Sequence, residues 1–330
     1  MTNIRWLAVA AFASLAGANV SGSLPAAEAT HAQLEPAPAD RLTVMTYNVK
    51  GLPFPAALDR TRALQQIGLR LSQLRAEGRQ PHVIVLQEAF TPEAKSIARL
   101  AGYRNLAFGP GPNEPGSRKA MSQSFRRRAR ALRGEAIGKW ADSGLAILSD
   151  FPISRTRRHA FAEDACAGFD CLAAKGVVLA WIAVPGQAQP IVIGNTHLNS
   201  RKASGVSVER ANTAFAEQLA EVRRFVAAEV DPNSNLILAG DFNVGHDPRR
   251  QHAARIHGGP VPGSSEALSG QFGNGDLASI QRRGKDKQFY RAGQNSAISL
   301  ATLDVPLGTA NGGSPLSDHL GFTATYELVR

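Results

Sequence analysis

The sequence predicts a single α/β domain, and three observations carry that prediction. Short apolar runs rich in branched residues recur along the chain and end in polar residues: Val83-Ile84-Val85-Leu86, Ile191-Val192-Ile193 and Leu236-Ile237-Leu238-Ala239. Such runs are too short for helices and read as buried strands. Between them lie longer segments whose apolar residues return every three or four positions, the period of an amphipathic helix. No interruption is long enough for a second core, so the 330 residues read as one domain behind a leader.

Composition bounds the partners and the compartment. Hydrophobic residues at 43% and charged residues at 19% describe a globular protein, not a fibrous or disordered one. A formal net charge of +10 favours anionic partners such as nucleic acid, acidic lipid surfaces or phosphate esters, without specifying chemistry. Arg5 precedes an apolar run from Trp6 to Val20, and small residues follow as Ala16-Gly17-Ala18 and Ala27-Glu28-Ala29. That is the order of a secretory signal peptide. The run is shorter than a membrane span and includes Ser14 and Gly17. Residues 1–32 are therefore expected to be signal peptide and leader, 33–40 a linker, and 41–330 the folded domain, exported to periplasm or medium. Cys166 and Cys171 are the only cysteines. In an exported protein they are expected to close a small disulfide loop, and no zinc site is expected there.

In chain order, Leu42 to Tyr47 reads as the first strand, ending at Asn48, with Gly51 and Pro53 turning the chain. Leu64, Ile67, Leu71 and Leu74 mark a helix closed by Gly78 and Pro81. The strand Val83–Leu86 ends in Gln87-Glu88. Thr91-Pro92-Glu93 starts a short helix, with a hydroxyl cap and a proline in its first turn. From Gly109 to Gly134 the pattern dissolves, and Arg126, Arg127, Arg128, Arg130 and Arg133 gather around Phe125. A solvated basic segment is the plainer reading, and a phosphate- or membrane-facing patch the functional one. Strands follow at Gly144–Leu148, Val177–Val184 and Ile191–Thr196, the last leading to His197. Val208 to Glu229 is a long helix with Phe215, Leu219, Val222 and Val226 on its buried stripe. Gly245 to Gly284 reads as loop. The chain closes on Leu316-Ser317-Asp318-His319 and a strand from Phe322 to Leu328.

Asn48, Glu88, His197 and Asp241 each follow a strand, and strand ends gather at one edge of an α/β fold. Asp241 and Asn243 lie two apart in an extended chain and would face one site, with Phe242 turned into the core. Asp and Asn after a strand are also ordinary turn residues. The set nevertheless has a chemical logic, that of phosphodiester hydrolysis. Glu88 with Asn48 supplies a carboxylate and an amide oxygen for Mg²⁺, with Mn²⁺ or another divalent cation as substitutes. His319, with a pKa near neutral, is the candidate base for an attacking water. The sequence leaves open which acid orients it, since Asp318 is its neighbour and can point elsewhere.

The ordered motifs Thr46-Tyr47-Asn48-Val49, Gln87-Glu88, Ser143-Gly144-Leu145-Ala146-Ile147-Leu148, Thr196-His197-Leu198, Gly240-Asp241-Phe242-Asn243 and Ser317-Asp318-His319 resemble the endonuclease/exonuclease/phosphatase (DNase I-like) superfamily. The resemblance spans about residues 42 to 328. It implies a four-layer α/β sandwich with two packed mixed β-sheets flanked by helices, and a catalytic role for the domain over 41–330. It further implies divalent metal at Glu88 with Asn48 nearby. His197 and Asn243 would contact the phosphate, Asp241 would assist the leaving group or orient water, and His319 would act as base, with Asp318 in the catalytic set.

Within that superfamily, Asp170-Cys171-Leu172-Ala173-Ala174-Lys175-Gly176-Val177-Val178 looks like secreted bacterial neutral sphingomyelinases and inositol polyphosphate phosphatases. On that likeness Lys175 would reach a substrate phosphate at the site rim as a point charge. Such sphingomyelinases tend to carry an aromatic hairpin for membrane insertion, whereas here Phe272 is the sole aromatic between Val244 and Lys285. The expected function is a secreted phospholipase C-like phosphodiesterase acting on a phospholipid head group, a monomer that touches anionic membrane peripherally. The alternatives are a secreted endonuclease acting on nucleic acid, which the basic charge suits, and a non-catalytic basic module binding lipid or nucleic acid.

Overall fold

The computed structural model describes residues 40–329, apart from 115, 117–119, 257–258, 295 and 310–313. The signal peptide, leader and nearly all of the linker expected from sequence lie outside the described residues. The first half of the domain runs β1 (Arg41–Gly51), α1 (Thr61–Ala76), β2 (Val83–Ala89), the single turns α2 (Pro92–Lys95) and α3 (Ile97–Leu100), β3 (Asn105–Phe108), α4 (Gln123–Arg127) and β4 (Ala146–Ser149). The second half begins with β5 (Ile153–Ala160), β6 (Gly176–Ile182), β7 (Ile191–His197), α5 (Val208–Glu229) and β8 (Leu236–Asp241). It continues through α6 (Pro248–Arg255), β9 (Ser265–Glu266), α7 (Gly275–Arg283), β10 (Asp286–Arg291), β11 (Ala297–Asp304) and β12 (Phe322–Val329).

These strands form two six-stranded mixed sheets, ordered β11-β12-β1-β2-β4-β3 and β5-β6-β7-β8-β10-β9. Each sheet contains one parallel pair, β1 with β2 and β7 with β8, joined by the helices α1 and α5. Parallel pairs need such crossovers, and the helix then covers one sheet face. Residue parity shows the four layers. Val44, Val83, Val85, Ile193, Ile237 and Ala239 share one apolar cluster between the sheets. Their strand neighbours Met45, Ile84 and Leu86 pack with Leu64, Ile67 and Leu71 of α1. Val192, Leu236 and Leu238 pack with Phe215, Leu219 and Val222 of α5. Both faces of these strands are covered, which is why they read as continuous apolar runs and not as alternation.

Both helical stripes expected from sequence are buried, and Thr91 caps α2 by accepting from the Ala94 amide. Cys166 and Cys171 are disulfide-bonded. Five strands escaped the sequence reading because they are very short or lack an apolar run: β3 (NLAF), β5 (ISRTRRHA), β9 (SE), β10 (DKQFYR) and β11 (AISLATLD). The stretch from Gly245 to Gly284, expected to be loop, contains α6 and α7. Asp247 caps α6 by accepting from the Arg249 and Arg250 amides, with Pro248 in the first turn. That start signal stands ahead of a polar segment whose one fully buried side chain is Arg250, so no apolar period announces the helix. Among the described residues no helix is long and apolar enough to cross a membrane.

Candidate active site

The inter-sheet layer turns from apolar to polar at one end of the sandwich. Continuing the inward parity of β1, β2, β7 and β8 brings in Thr46, Asn48, Gln87, Asn195, His197 and Asp241, all at most 5% exposed. Gln87 donates to the Asn195 side chain at 2.8 Å, and Asn195 in turn donates to the carbonyls of Leu86 and Ala146, bridging the sheets. One residue further out sits the site. The Asn48 amide nitrogen lies 2.9 Å from Glu88 Oε1 and 3.2 Å from Asp241 Oδ2, while its oxygen accepts from the Lys50 amide.

Glu88 breaks the parity. Its position on β2 would send the side chain toward the α1 face, but a φ of 56° turns it into the site. Asn243 is likewise left-handed, with φ 50°; its amide nitrogen donates to the Leu198 carbonyl, and its backbone N–H to Asp241 Oδ1. Two non-glycine residues in that sparsely allowed region at one site indicate backbone strain held by the surroundings. Gly240, with φ 146°, lets β8 approach β7, since a Cβ there would collide with the Thr196 carbonyl.

The acid that orients His319 is Asp286, not its sequence neighbour Asp318. His319 Nδ1 lies 2.8 Å from both carboxylate oxygens of Asp286, and Nε2 lies 3.6 Å from Asp241 Oδ2. Asp286 stands directly opposite Asp241 in the antiparallel β8–β10 register. Cross-strand partners project to the same face, so both carboxylates reach His319. Asp318, with a side chain 55% exposed, instead faces Lys50 Nζ at 3.5 Å. The Ser317 hydroxyl donates to the Asn48 carbonyl, and Arg60 donates to the carbonyls of Val49 and Leu316, fastening the His319 segment to the end of β1.

The electrostatics separate the two histidines. Burial works against a charged His319, yet the Asp286 and Asp241 carboxylates push its pKa up to about 9, above the near-neutral value expected from sequence. Burial and the Lys175 ammonium hold His197 down at about 3, so it stays neutral. Its Nε2 is 3.7 Å from Asp241 Oδ2 and 4.0 Å from Glu88 Oε1, and its buried Nδ1 has no hydrogen-bond partner among the described residues. Burial opposes ionisation of Asp241, but His319, His197 and the Asn243 N–H keep it below the usual carboxylate range.

Lys175 is not at the rim. It is 5% exposed, paired with Asp170 at 2.5 Å, and donates to the Leu198 carbonyl that also receives Asn243. Asp170 accepts as well from the backbone and hydroxyl of Ser200. Two contributors escaped the sequence reading. Asp286 shares the inward parity of Gln288 and Tyr290, a signal hidden in a polar strand. Arg250, 1% exposed, donates to the carbonyls of Asn199 and Asn243 and stacks over Phe215.

The donors fit a hard divalent cation, being mostly oxygen and anionic. Asp241, Asp286 and His319 bring ligand atoms within 4.8 Å of one another, but the Nδ1 of His319 is spent on Asp286. Glu88 is the more open holder, its side chain 18% exposed. Burial raises its pKa, and the nearby Asp241 charge adds to that, so a cation there would relieve both.

Residues 45–319 match the model of the Endonuclease/Exonuclease/phosphatase family, five-sixths of the sequence and every site residue above. The chain belongs to that family. Among curated relatives, a sphingomyelinase of Mycobacterium tuberculosis is 26% identical over 300 residues, 87% of this chain and 53% of the relative. The chain thus spans about half the length of that family member. Among solved structures, a beta toxin from Staphylococcus aureus with bound magnesium ions superposes with a TM-score of 0.58 at 18% identity, covering 86% of this chain and 99% of that one. TDP2 of D. rerio complexed with a single-strand DNA product superposes at 0.55 and 17% identity, covering 87% and 98%. These likenesses to solved structures show the two-sheet fold of the family.

Proposed function

We propose that the chain is an exported, Mg²⁺-dependent phosphodiesterase that cleaves the phosphorylated head group from a choline phospholipid of the sphingomyelin type. The carrying observation is the Asp286–His319–Asp241 line at the polar end of the inter-sheet layer, in a chain 26% identical to a sphingomyelinase over 87% of its length. Neutral His319 takes a proton at Nε2 from the attacking water, and its Nδ1–H stays on Asp286, which stabilises the imidazolium that results. Ionised Asp241 accepts a hydrogen bond from that water and aims it at phosphorus. His197, neutral across the working pH range, donates to a phosphoryl oxygen, and Asn243 bounds the same pocket. Glu88 would hold the cation, braced by the Asn48 amide. When bound, that cation supplies positive charge for the phosphoryl and leaving oxygens.

A nuclease reading is favoured by the net charge of +10 and by the fold shared with a protein solved in complex with a single-strand DNA product. Mature protein with Mg²⁺, offered sphingomyelin, phosphatidylcholine, duplex DNA and RNA in parallel, decides between them. Phosphocholine release without nucleic-acid cleavage is the expected result. Cleavage of DNA with a steep salt dependence and no phosphocholine would replace the lipid reading with the nuclease one.

A further inference from the structure

We infer that the surface built by residues 127–140 and the turn at Phe169 docks the protein on anionic membranes beside the mouth of the site. This rests on the lipid reading above and adds the surface that would present the substrate. Leu132 is 95% exposed, Trp140 69% and Phe169 42%. Isolated exposed apolar residues are ordinary, but these three stand on segments tied into one unit. Buried Glu135 is the tie. Its carboxylate accepts from the Arg130 amide, the Arg210 guanidinium and the Gly168 amide. Arg210 also donates to the Phe125 carbonyl, which brings α4 to the same place. The Trp140 amide donates to the Leu172 carbonyl at 2.7 Å, and the Cys166–Cys171 disulfide closes the base of the turn. A Cβ on Gly205 would lie 3.0 Å from the Phe169 ring and 3.5 Å from the Arg133 guanidinium, so that cation and that ring adjoin.

The chemistry of the patch selects its occupant. Arg127, Arg128 and Arg133 are exposed on the same segment as Leu132 and Trp140, and Arg133 adjoins the Phe169 ring. An exposed indole and an exposed leucine on a segment rich in exposed cations match a lipid interface, where the ring and the alkyl group enter the acyl boundary and the cations meet phosphate. A nucleic acid would meet the cations but leave Leu132 in water. The patch also adjoins the reaction. Phe169 precedes Asp170, whose carboxylate holds Lys175, and Lys175 shares the Leu198 carbonyl with Asn243.

The test uses mature protein in chelator and vesicles of phosphatidylcholine, with or without phosphatidylglycerol, free of sphingomyelin, so that binding is read without turnover. Wild type is expected to sediment with phosphatidylglycerol vesicles at least about tenfold more tightly than with phosphatidylcholine alone, with a blue shift of indole emission absent in Trp140→Phe. Leu132→Asp with Trp140→Asp should lose at least about tenfold in vesicle affinity, and Arg127→Glu with Arg128→Glu should remove the anionic preference. Hydrolysis of a soluble phosphocholine ester should stay at the wild-type rate in both. Wild-type vesicle affinity in Leu132→Asp/Trp140→Asp overturns the inference, as does binding of DNA but not vesicles. Loss of vesicle binding in a protein that releases no phosphocholine from any substrate would sustain the docking face and remove the head-group reading instead.

Discussion

Asp286→Asn isolates the contact that distinguishes this site from a lone histidine. The substitution keeps the shape of the side chain and removes the charge 2.8 Å from His319 Nδ1. Raising the His319 pKa from 6.5 to about 9 corresponds to roughly 3 kcal/mol of preference for the imidazolium. Burial opposes that preference, so the two carboxylates together supply more than this net; with Asp241, at 3.6 Å from the other nitrogen, giving the smaller share, Asp286 carries at least about 2 kcal/mol, or about thirtyfold in rate. An asparagine whose NH₂ faces Nδ1 also imposes the wrong tautomer, a change that has cost up to about ten-thousandfold in comparable Asp–His pairs. The expected loss in the high-pH plateau of kcat is therefore between about thirtyfold and ten-thousandfold. The acid limb of the profile, where the base is protonated, should move to lower pH in the variant. Stability of the metal-free protein gives a second readout with a definite sign. Because the folded pKa is raised, the His319 contribution is present in full below about pH 6.5 and is lost as pH rises through about 9. In Asp286→Asn that dependence should flatten. An acid limb and a stability profile both unchanged in the variant would refute Asp286 as the orienting acid.

Three further outcomes follow from the geometry. Glu88→Gln should abolish the activity restored by Mg²⁺ after chelation, and should also erase any rise in melting temperature that Mg²⁺ gives the wild type; full activity in chelator would exclude a cation at Glu88. Lys175→Met should destabilise by about 3–5 kcal/mol, because it strands the buried Asp170 carboxylate, whereas a rim lysine would leave the melting temperature unmoved while weakening substrate binding. Gly240→Ala should fail to accumulate as folded protein, since its Cβ has no room against Thr196 in the neighbouring strand; normal expression and melting would show that β7 and β8 can separate at that point.

Much of the site was legible because strand parity is a local property. A strand that buries both faces is a continuous apolar run, and the polar residue that ends it inherits a known side. Thus Asn48, His197 and Asp241 could be placed at one edge from the sequence, and α1 and α5 from their helical stripes. What tertiary structure decided lies where the determining contact is distant in the chain or where the backbone leaves its regular period. Asp286 reaches His319 because β10 pairs with β8 in a register that sets it opposite Asp241, 45 positions away in sequence. Glu88 enters the site only through a left-handed φ, which no alternation foretells. Lys175 sits beneath the site and not on its rim because Asp170, carried by the disulfide-closed turn, takes its charge. Arg250, a residue type ordinarily solvated, is buried because two backbone carbonyls, Asn212 and the Phe215 ring replace its water. The sequence determined which residues arrive at the edge, since that needs only a period of two; which of them touch was decided by strand pairing and strained turns, since a hydrogen bond needs a partner within about 3 Å that local order cannot specify.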